Sequence, residues 1–164
     1  KFSKFNKLNL GKGPIFSYIG RVATEKNVEA FLKIKIDGTK VVVGDGPQLN
    51  SLKKKYPDVN YVGYQHGQDL VDYYASSDVM VFPSLTDTFG NVITEANATG
   101  TPVAAFNVIG PKDIIVNGIN GYIGDDLKSN IINCINLDRT KCQEYTKKFN
   151  WKECSRVFYD NIVA

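Results

Sequence analysis

The chain has 164 residues and a net charge of +3 at pH 7, with 43% hydrophobic and 23% charged residues. These values suit one folded domain with an apolar core, and they exclude a disordered or collagen-like chain. They also disfavour a nucleic-acid-binding protein, because the lysines are scattered and the one cluster, Lys53 to Lys55, is typical of a solvated helix face.

The first folded element is a strand that follows a polar segment. Residues 1–13 are rich in lysine and glycine and lack periodicity, so we expect a linker that arrives from a separate N-terminal domain. Residues 14–164 then form the folded domain. Its first strand is predicted over the apolar run Ile15 to Ile19, which ends at Gly20.

The segment after this strand admits two predictions. In the first, Asn27 caps a helix that ends near Lys33. In the second, the chain alternates as a hairpin that turns at Asp37-Gly38. The helix is favoured because Val41 to Val43 is apolar on both faces, as in a central parallel strand, whereas a solvated hairpin would alternate.

Strands and helices continue to alternate along the chain. Further strands are predicted at Val41 to Val43, Val59 to Val62, Val79 to Phe82, Val103 to Phe106 and around Tyr122-Ile123. Helices are predicted from Pro47 through Leu52, around Leu70 to Tyr74 and from Gly90 to Ala98. After Asp125, helical spacing from Leu127 through Trp151, Val157, Phe158 and Ile162 predicts a helical C-terminal tail.

This alternation predicts an α/β fold: a doubly wound, Rossmann-like parallel sheet with helices on both faces. Such sheets bind ligands outside the carboxyl ends of their strands, where the strand order reverses. The residues expected there are rich in glycine and poor in bulk, as a backbone that approaches a phosphate requires. They are Gly20-Arg21, Gly44 to Gly46, Gly63-Tyr64, Pro83 to Gly90 and Asn107 to Gly110.

The most informative segment runs from Ser84 to Ala96. A helix that starts near Phe89 would leave free backbone N–H groups at its positive end, which makes an anion site. These N–H groups belong to Thr88, Phe89, Gly90 and Asn91. Asp87 and Glu95 flank this site, and carboxylates in that place indicate recognition of neutral hydroxyls, such as those of a sugar and a ribose. The alternative is that Asp87 caps the helix and Glu95 is a surface acid.

Two cations follow the first strand. Arg21, directly after Gly20, can bind a diphosphate through forked hydrogen bonds, and Lys26 can bind it as a point charge. The alternative is a pair of solvated surface cations. The two segments together therefore suggest a nucleotide-sugar as the ligand.

These segments resemble the retaining glycosyltransferases of the GT-B fold, in the large group that includes sucrose synthases and mannosyltransferases. The resemblance covers nearly the whole chain, which would be one half of a GT-B enzyme. It is carried by Gly20-Arg21 with Glu25-Lys26, Val43 to Pro47, Ala75 to Ser84, Asp87 to Gly90 running into Glu95-Ala96, Gly100 to Val103, and Gly118 to Gly121.

The resemblance implies roles for individual residues. Arg21 and Lys26 would hold the diphosphate and stabilise the charge that grows on the leaving nucleotide. Asp87 would be the first acid of the E-x7-E motif and contact the donor sugar, although many relatives carry Glu there; Glu95, the second, would bind the ribose. The backbone of Thr88, Phe89, Gly90, Asn91 and Val92 would cradle sugar and phosphates, and Gly44, Gly46, Gly63 and Tyr64 would flank the base.

It also implies the reaction and its partners. The donor would be GDP-mannose or a UDP-sugar, used without a metal or other cofactor, and a hexosyl group, mannosyl by the closest resemblance, would pass to a glycan or lipid-linked glycan acceptor. The N-terminal domain would bind the acceptor, so this chain alone is expected to transfer negligibly. The alternatives are a sugar-nucleotide epimerase of the same fold and a non-catalytic, flavodoxin-like nucleotide-binding or signalling module.

The location of the protein is predicted from its cysteines and its hydropathy. Cys134, Cys142 and Cys154 have the spacing of neither a CxxC redox pair nor a zinc site, which favours reduced thiols. No apolar run approaches the roughly 20 residues that cross a bilayer, and no signal-type stretch follows the basic amino terminus. We expect a cytoplasmic location, with peripheral association of the full-length enzyme at the inner face of the membrane.

Overall fold

A computed structural model of the protein describes residues 8–87 and 90–149. Within them a six-stranded parallel sheet has the order β3-β2-β1-β4-β5-β6. The strands are β1 Ile15–Ile19, β2 Thr39–Val43, β3 Asn60–Gly63, β4 Val79–Phe82, β5 Val103–Ala105 and β6 Gly121–Ile123. The order reverses between β1 and β4, so the carboxyl ends of these two strands form the crevice in which such sheets bind ligands.

Helices cover both faces of the sheet. They are α1 Val28–Leu32, α2 Leu49–Lys55, α3 Gly67–Ser76, α4 Asn91–Ala98, α5 Pro111–Ile114, α6 Leu127–Cys134 and α7 Arg139–Thr146, with a short 3-10 helix at Thr24–Lys26. Successive strand residues point to opposite faces. Phe16 and Val42 pack with α1, α2 and α6, whereas Ile15 and Val41 pack with α3, α4 and α5. The predicted doubly wound fold is confirmed.

The region between β1 and β2 decides between helix and hairpin. The chain forms α1, with Lys33 as its C-cap, and β2 runs parallel to β1, so the helix prediction is confirmed. Gly38 lies in the turn before β2, at φ 138°, where an added Cβ would lie 2.4 Å from the carbonyl oxygen of Pro14. The Asp37-Gly38 turn therefore starts a parallel strand and closes no hairpin.

Asn27 is the N-cap residue of α1, as predicted, but its side chain does not cap the helix. Asn27 adopts a left-handed conformation at φ 51° and makes no side-chain cap hydrogen bond to α1. Its side-chain amide donates instead to the carbonyl oxygen of Pro83, at 3.1 Å. Asparagine tolerates this backbone conformation better than most residues. Asn27 thus ends the 3-10 helix and ties it to the loop after β4.

Other element boundaries shift by one or two residues from the prediction. Strand β3 ends at Gly63, one residue beyond Val62, and α2 begins at Leu49, so Pro47 lies in the turn before it. The helical spacing after Asp125 corresponds to α6 and α7, and the predicted tail from Trp151 to Ile162 lies outside the described residues.

The segment before β1 runs along the amino ends of the strands. The backbone N–H of Leu8 donates to Ser76 Oγ at 2.8 Å, and Asn60 donates to the carbonyl oxygen of Leu10 at 2.8 Å. This edge is opposite to the crevice. The segment leaves the carboxyl ends of β1 and β4 open.

Candidate functional site

The crevice between β1 and β4 holds two adjoining cavities. The β2-side cavity has a volume of about 340 Å³, and its lining comprises Ile19, Gly20, Arg21, Val43, Gly44, Asp45, Tyr64, Gln65, Leu70, Tyr74, Val92 and Glu95. The β4-side cavity has a volume of about 320 Å³ and is lined by Tyr18, Ile19, Gly20, Arg21, Lys26, Phe82, Asp87, Gly90, Asn91 and Val92. Because they share four residues, we treat them as one cleft.

Two glycine turns shape the β2-side cavity. The turns after β1 and β2 lie against each other, with Gly20 N–H donating to Val43 O at 2.9 Å. A Cβ on Gly44 would lie 1.9 Å from the carbonyl oxygen of Gly20, and one on Gly46 would lie 2.4 Å from that of Val22. Only glycine permits this approach, which keeps the floor of the cavity flat.

Not all the glycines predicted around the base reach the cavity. Gly44 lines it, whereas its lining includes neither Gly46 nor Gly63. The carbonyl oxygen of Gly63 accepts from Gly44 N–H at 2.8 Å. In the described structure, Gly46 and Gly63 shape the turns behind the lining.

The rim of this cavity carries an open aromatic surface. Tyr64 is 73% exposed, and its ring stacks on that of His66 with centroids 6.1 Å apart and planes at 17°. Val43 and Leu70 add apolar wall. An apolar hollow beside an exposed aromatic ring is suited to a flat ring of similar size.

The acid Glu95 lies on α4 at the base of the same cavity. Its carboxylate Oε2 accepts a hydrogen bond of 2.8 Å from the hydroxyl of Tyr74 on α3. Burial, together with the negative charge of Glu95, raises the pKa of Tyr74 above its ordinary value. Glu95 itself is exposed and lines the cavity, so its remaining lone pairs are available to a ligand.

In the β4-side cavity Lys26 and Asp87 form an ion pair. Lys26 Nζ lies 2.7 Å from Asp87 Oδ1 and 2.8 Å from Oδ2. The side chains are 28% and 19% exposed. Asp87 therefore engages Lys26 and does not cap α4, whose N-cap is Gly90 without a side-chain hydrogen bond.

Two hydrogen bonds join the loop that carries Asp87 to the segment around Lys26. Asn27 donates to Pro83, and the buried hydroxyl of Ser84 donates to the carbonyl oxygen of Glu25 at 3.3 Å. The loop after β4 is thereby fixed against the 3-10 helix. This explains why Lys26 and Asp87, 61 positions apart in sequence, meet in one cavity.

Arg21 stands between the two cavities and lines both. Its side chain is 68% exposed, and Nη1 lies 3.9 Å from Glu25 Oε1, a loose surface pair. The buried hydroxyl of Tyr18 donates to the carbonyl oxygen of Arg21 at 2.6 Å. Burial, with the charges of Asp87 and Glu25, raises the pKa of Tyr18. A hydrogen bond thus fixes the backbone at Arg21, while its guanidinium stays largely exposed and can contact a ligand in the cleft.

The amino end of α4 also faces this cavity. The helix begins at Asn91, two residues after the predicted Phe89, and Gly90 precedes it at φ 80°. The N–H of Ile93 bonds back to Gly90 O at 2.9 Å. Those of Asn91 and Val92 have no acceptor within the helix, as at any helix start. Thr88 and Phe89 lie outside the described residues.

A wider cavity of about 640 Å³ opens on the other side of Asp87, lined by Leu85, Thr86, Asp87, Asn107, Val108, Ile109 and Lys112. Its walls combine apolar side chains with polar and charged ones, and Ile109 is 67% exposed. All of its lining residues except Lys112 belong to the predicted crevice segments Pro83 to Gly90 and Asn107 to Gly110. Asp87 therefore separates the cleft from a second open space.

Sequence reasoning missed three polar side chains of the cleft: Tyr18, Tyr74 and Gln65. Tyr18 and Tyr74 were read only as apolar members of a strand and a helix. Their hydroxyls meet cleft residues through packing between elements, which spacing along the chain does not reveal.

Among residues 8–87 and 90–149, no group of three or more His, Cys, Asp or Glu side chains is placed to hold a metal ion. No helix in this part of the chain is long and apolar enough to cross a bilayer.

Comparison with known proteins identifies the class. Residues 13–136 match the family model described as glycosyl transferases group 1. The chain therefore belongs to the group 1 glycosyltransferases. The predicted resemblance is confirmed, and the signalling module is disfavoured.

The relatives and structural neighbours agree with this family. The GDP-mannose-dependent alpha-mannosyltransferase of Corynebacterium glutamicum is 39% identical over 117 residues, which cover 70% of this chain and 28% of that protein. The protein of the same name from Mycobacterium tuberculosis is 38% identical over 112 residues, covering 67% and 30%. The chain thus spans less than a third of the length of these relatives.

Among solved structures, the pneumococcal O-GlcNAc transferase GtfA in complex with UDP and GlcNAc superposes with a TM-score of 0.75. The sequences are 18% identical, and the match covers 96% of this chain and 37% of that one. This likeness shows the fold. The Rossmann-like domain is that of the GT-B glycosyltransferases.

Proposed function

We propose that this chain binds the nucleotide-sugar donor of a retaining glycosyltransferase in the cleft between β1 and β4. The observation that carries the proposal is the convergence of two cations, two acids and a helix amino end on one hollow. Cations and a helix amino end suit phosphates, and acids suit hydroxyls. A nucleoside diphosphate sugar presents both kinds of group.

The donor would extend along the cleft from Tyr64 to Asp87. The base would lie in the β2-side cavity against the open ring of Tyr64, above Gly44. Glu95 would accept hydrogen bonds from the ribose hydroxyls. The diphosphate would lie between Arg21 and the N–H groups at the start of α4, and the sugar would lie beside Asp87.

Arg21 and Lys26 would carry the catalytic charge stabilisation. When the glycosidic bond breaks, negative charge grows on the leaving diphosphate, and fixed cations beside it lower the barrier. Lys26 has three N–H donors, so it can keep Asp87 in place and still bind a phosphate oxygen. Since these cations and the helix end neutralise the diphosphate, we propose that transfer needs no metal ion.

We propose a hexosyl donor, with GDP-mannose first and a UDP-sugar as the second candidate. The relatives named as GDP-mannose-dependent mannosyltransferases support the first choice, and the neighbour solved with UDP supports the second. We propose the wide cavity beyond Asp87 as the side from which the acceptor approaches, because it adjoins the sugar position.

The acceptor would be a glycan or a lipid-linked glycan held by a separate N-terminal domain. In this proposal residues 1–13 are the linker from that domain, and residues 14–164 are the donor-binding domain. The enzyme would work in the cytoplasm, at the inner face of the membrane. Without the acceptor domain the two substrates are not held together, so the chain alone transfers negligibly.

Calorimetric titration tests the proposal. The chain and its Glu95→Ala variant are titrated with GDP, UDP, GDP-mannose and UDP-glucose. We expect saturable binding of at least one ligand and weaker binding by Glu95→Ala. Glu144→Ala, which removes an exposed acid on α7 outside the cleft, is the matched control and should bind as the wild type does. Equal, negligible heats for all four ligands would contradict the proposal.

A further inference from the structure

The hydroxyl of Tyr74 is buried directly behind the cleft acid Glu95. Tyr74 is 2% exposed, and its hydroxyl donates to Glu95 Oε2 at 2.8 Å. In the part of the chain that the structure describes, it is the one side chain that hydrogen-bonds the Glu95 carboxylate. An otherwise exposed glutamate is therefore held from one side.

Tyr74 is itself fixed by a chain of hydrogen bonds. Thr101 Oγ1 donates to the carbonyl oxygen of Tyr74 at 2.7 Å. Arg139 on α7 donates to Thr101 Oγ1 and to the carbonyl oxygen of Ala75, both at 2.9 Å. The end of α3 is thus anchored to α7, and the buried Tyr74 ring is carried by a fixed backbone.

This arrangement affects what Glu95 can offer a ligand. A free glutamate samples several rotamers, and a ligand that binds it must bear the cost of ordering them. The Tyr74 hydroxyl uses one acceptor site of Oε2, and the other acceptor sites of the carboxylate remain for hydroxyls of a ligand in the cavity that Glu95 lines. Burial raises the pKa of Tyr74, so at neutral pH its hydroxyl remains a proton donor.

We propose that Tyr74 is a positioning residue that presets the Glu95 carboxylate and so gives the cleft its preference for ribonucleotides over nucleotides without ribose hydroxyls. The inference rests on the proposed function, in which Glu95 binds the ribose. Tyr74 lines the cavity but is only 2% exposed, so in this proposal its hydroxyl acts through the carboxylate that it holds.

The test compares two ligands on two variants of the full chain. UDP and 2′,3′-dideoxy-UDP, with GDP and its dideoxy analogue in parallel, are titrated into wild type and Tyr74→Phe. The variant keeps the ring and removes the hydroxyl. We expect the ribonucleotide to bind about 5- to 10-fold more weakly to Tyr74→Phe, because a hydrogen bond to a charged group is lost, while the dideoxy ligand changes by less than about twofold.

Tyr61→Phe is the matched control. The half-buried Tyr61 also has a hydrogen-bonded hydroxyl, which donates to the carbonyl oxygen of Leu52 at 3.0 Å, but it does not line the cleft. Its variant should keep the wild-type ratio of the two affinities. If Tyr74→Phe fails to fold, the side-chain NMR signals of Glu95 in the wild type replace it: they should report one rotamer both before and after UDP is added, and rotamer averaging in the free chain would overturn the inference.

The outcomes separate the inference from the proposed function. If wild type binds neither nucleotide, the proposed function falls and the inference falls with it. If wild type prefers the ribonucleotide and Tyr74→Phe keeps that preference in full, only the inference is overturned. Equal weakening of both ligands by Tyr74→Phe would show a general structural role and would also overturn it.

Discussion

A buried pair of asparagines and the polar residues of the cleft use their hydrogen bonds differently. Asn97 and Asn120 are completely buried, and each donates to the other chain segment: Asn97 Nδ2 to Asn120 O at 2.9 Å, and Asn120 Nδ2 to Asn97 Oδ1 at 2.8 Å. In the cleft, Arg21, Lys26 and Asp87 keep exposed surface and spare donors or acceptors. Buried polar groups whose hydrogen bonds are made within the protein have a structural role. Polar groups that line a cleft and keep unused donors or acceptors mark a ligand site.

The largest expected effect is on stability, and it comes from the buried pair of Asn97 and Asn120. Asn97→Ala removes the three hydrogen bonds of the Asn97 amide, to Thr101 O, Asn120 O and Asn120 Nδ2, and so takes one acceptor from Asn120 Nδ2. We expect the free energy of unfolding to fall by about 2 to 4 kcal/mol, because buried polar groups lose their partners. Chemical denaturation measures this change. Asn50→Ala, on the exposed side of α2, is the control and should unfold as the wild type does.

A fall of less than about 1 kcal/mol in the free energy of unfolding of Asn97→Ala would contradict this contrast, because the buried hydrogen bonds would then stabilise no more than a surface contact. Nucleotide affinity of the folded variant should stay at the wild-type value. A loss of affinity without a loss of stability would move Asn97 into the ligand site.

The next largest effect is on ligand binding, and it comes from a charged residue of the cleft. Lys26→Ala should weaken nucleoside diphosphate binding by about 10- to 100-fold, because a charge-assisted hydrogen bond to phosphate is lost. Its free energy of unfolding should fall by about 1 kcal/mol at most, since the pair with Asp87 is partly exposed. Calorimetry and thermal unfolding measure the two quantities. Lys54→Ala, an exposed lysine on α2, is the control.

The smallest expected effect is on the pH dependence of stability, and it comes from the surface cluster of Glu29, Lys55 and Tyr56. Hydrogen bonds from Lys55 and Tyr56 lower the pKa of Glu29 from 4.5 to about 2. A carboxyl whose pKa is lower in the folded state stabilises the fold above its unfolded pKa and loses that effect as the pH falls toward the folded value. Between pH 4.5 and about 2, wild type should therefore lose slightly more thermal stability than Glu29→Gln. Parallel curves for the two proteins would contradict this.

The sequence predicted the strands better than the helix starts, for a physical reason. Ile15 to Ile19 and Val79 to Phe82 are apolar on both faces and end at Gly20 and Pro83, so composition alone bounds β1 and β4. A helix start depends on a few local contacts. At Asn27 a bond to a distant loop overrides the capping preference of the residue type.

The site was predicted in its parts but not in its pairings. The glycines, cations and acids of the cleft were identifiable, because such residues after parallel strands converge at one edge. The ion pair of Lys26 with Asp87 and the bond of Tyr74 to Glu95 depend on how loops and helices pack. Spacing along the chain carries no information about that packing.

Chemical-shift mapping by NMR tests the central claim most directly, which is that the donor occupies the carboxyl-end cleft. The isotopically labelled chain is titrated with UDP and with GDP, and the backbone amide signals are followed. The account predicts that signals of Arg21, Gly44 and Val92 move on saturation, whereas those of Thr39 and Asn60, at the opposite edge of the sheet, stay in place. Movement at Thr39 and Asn60 with none at the cleft would contradict it.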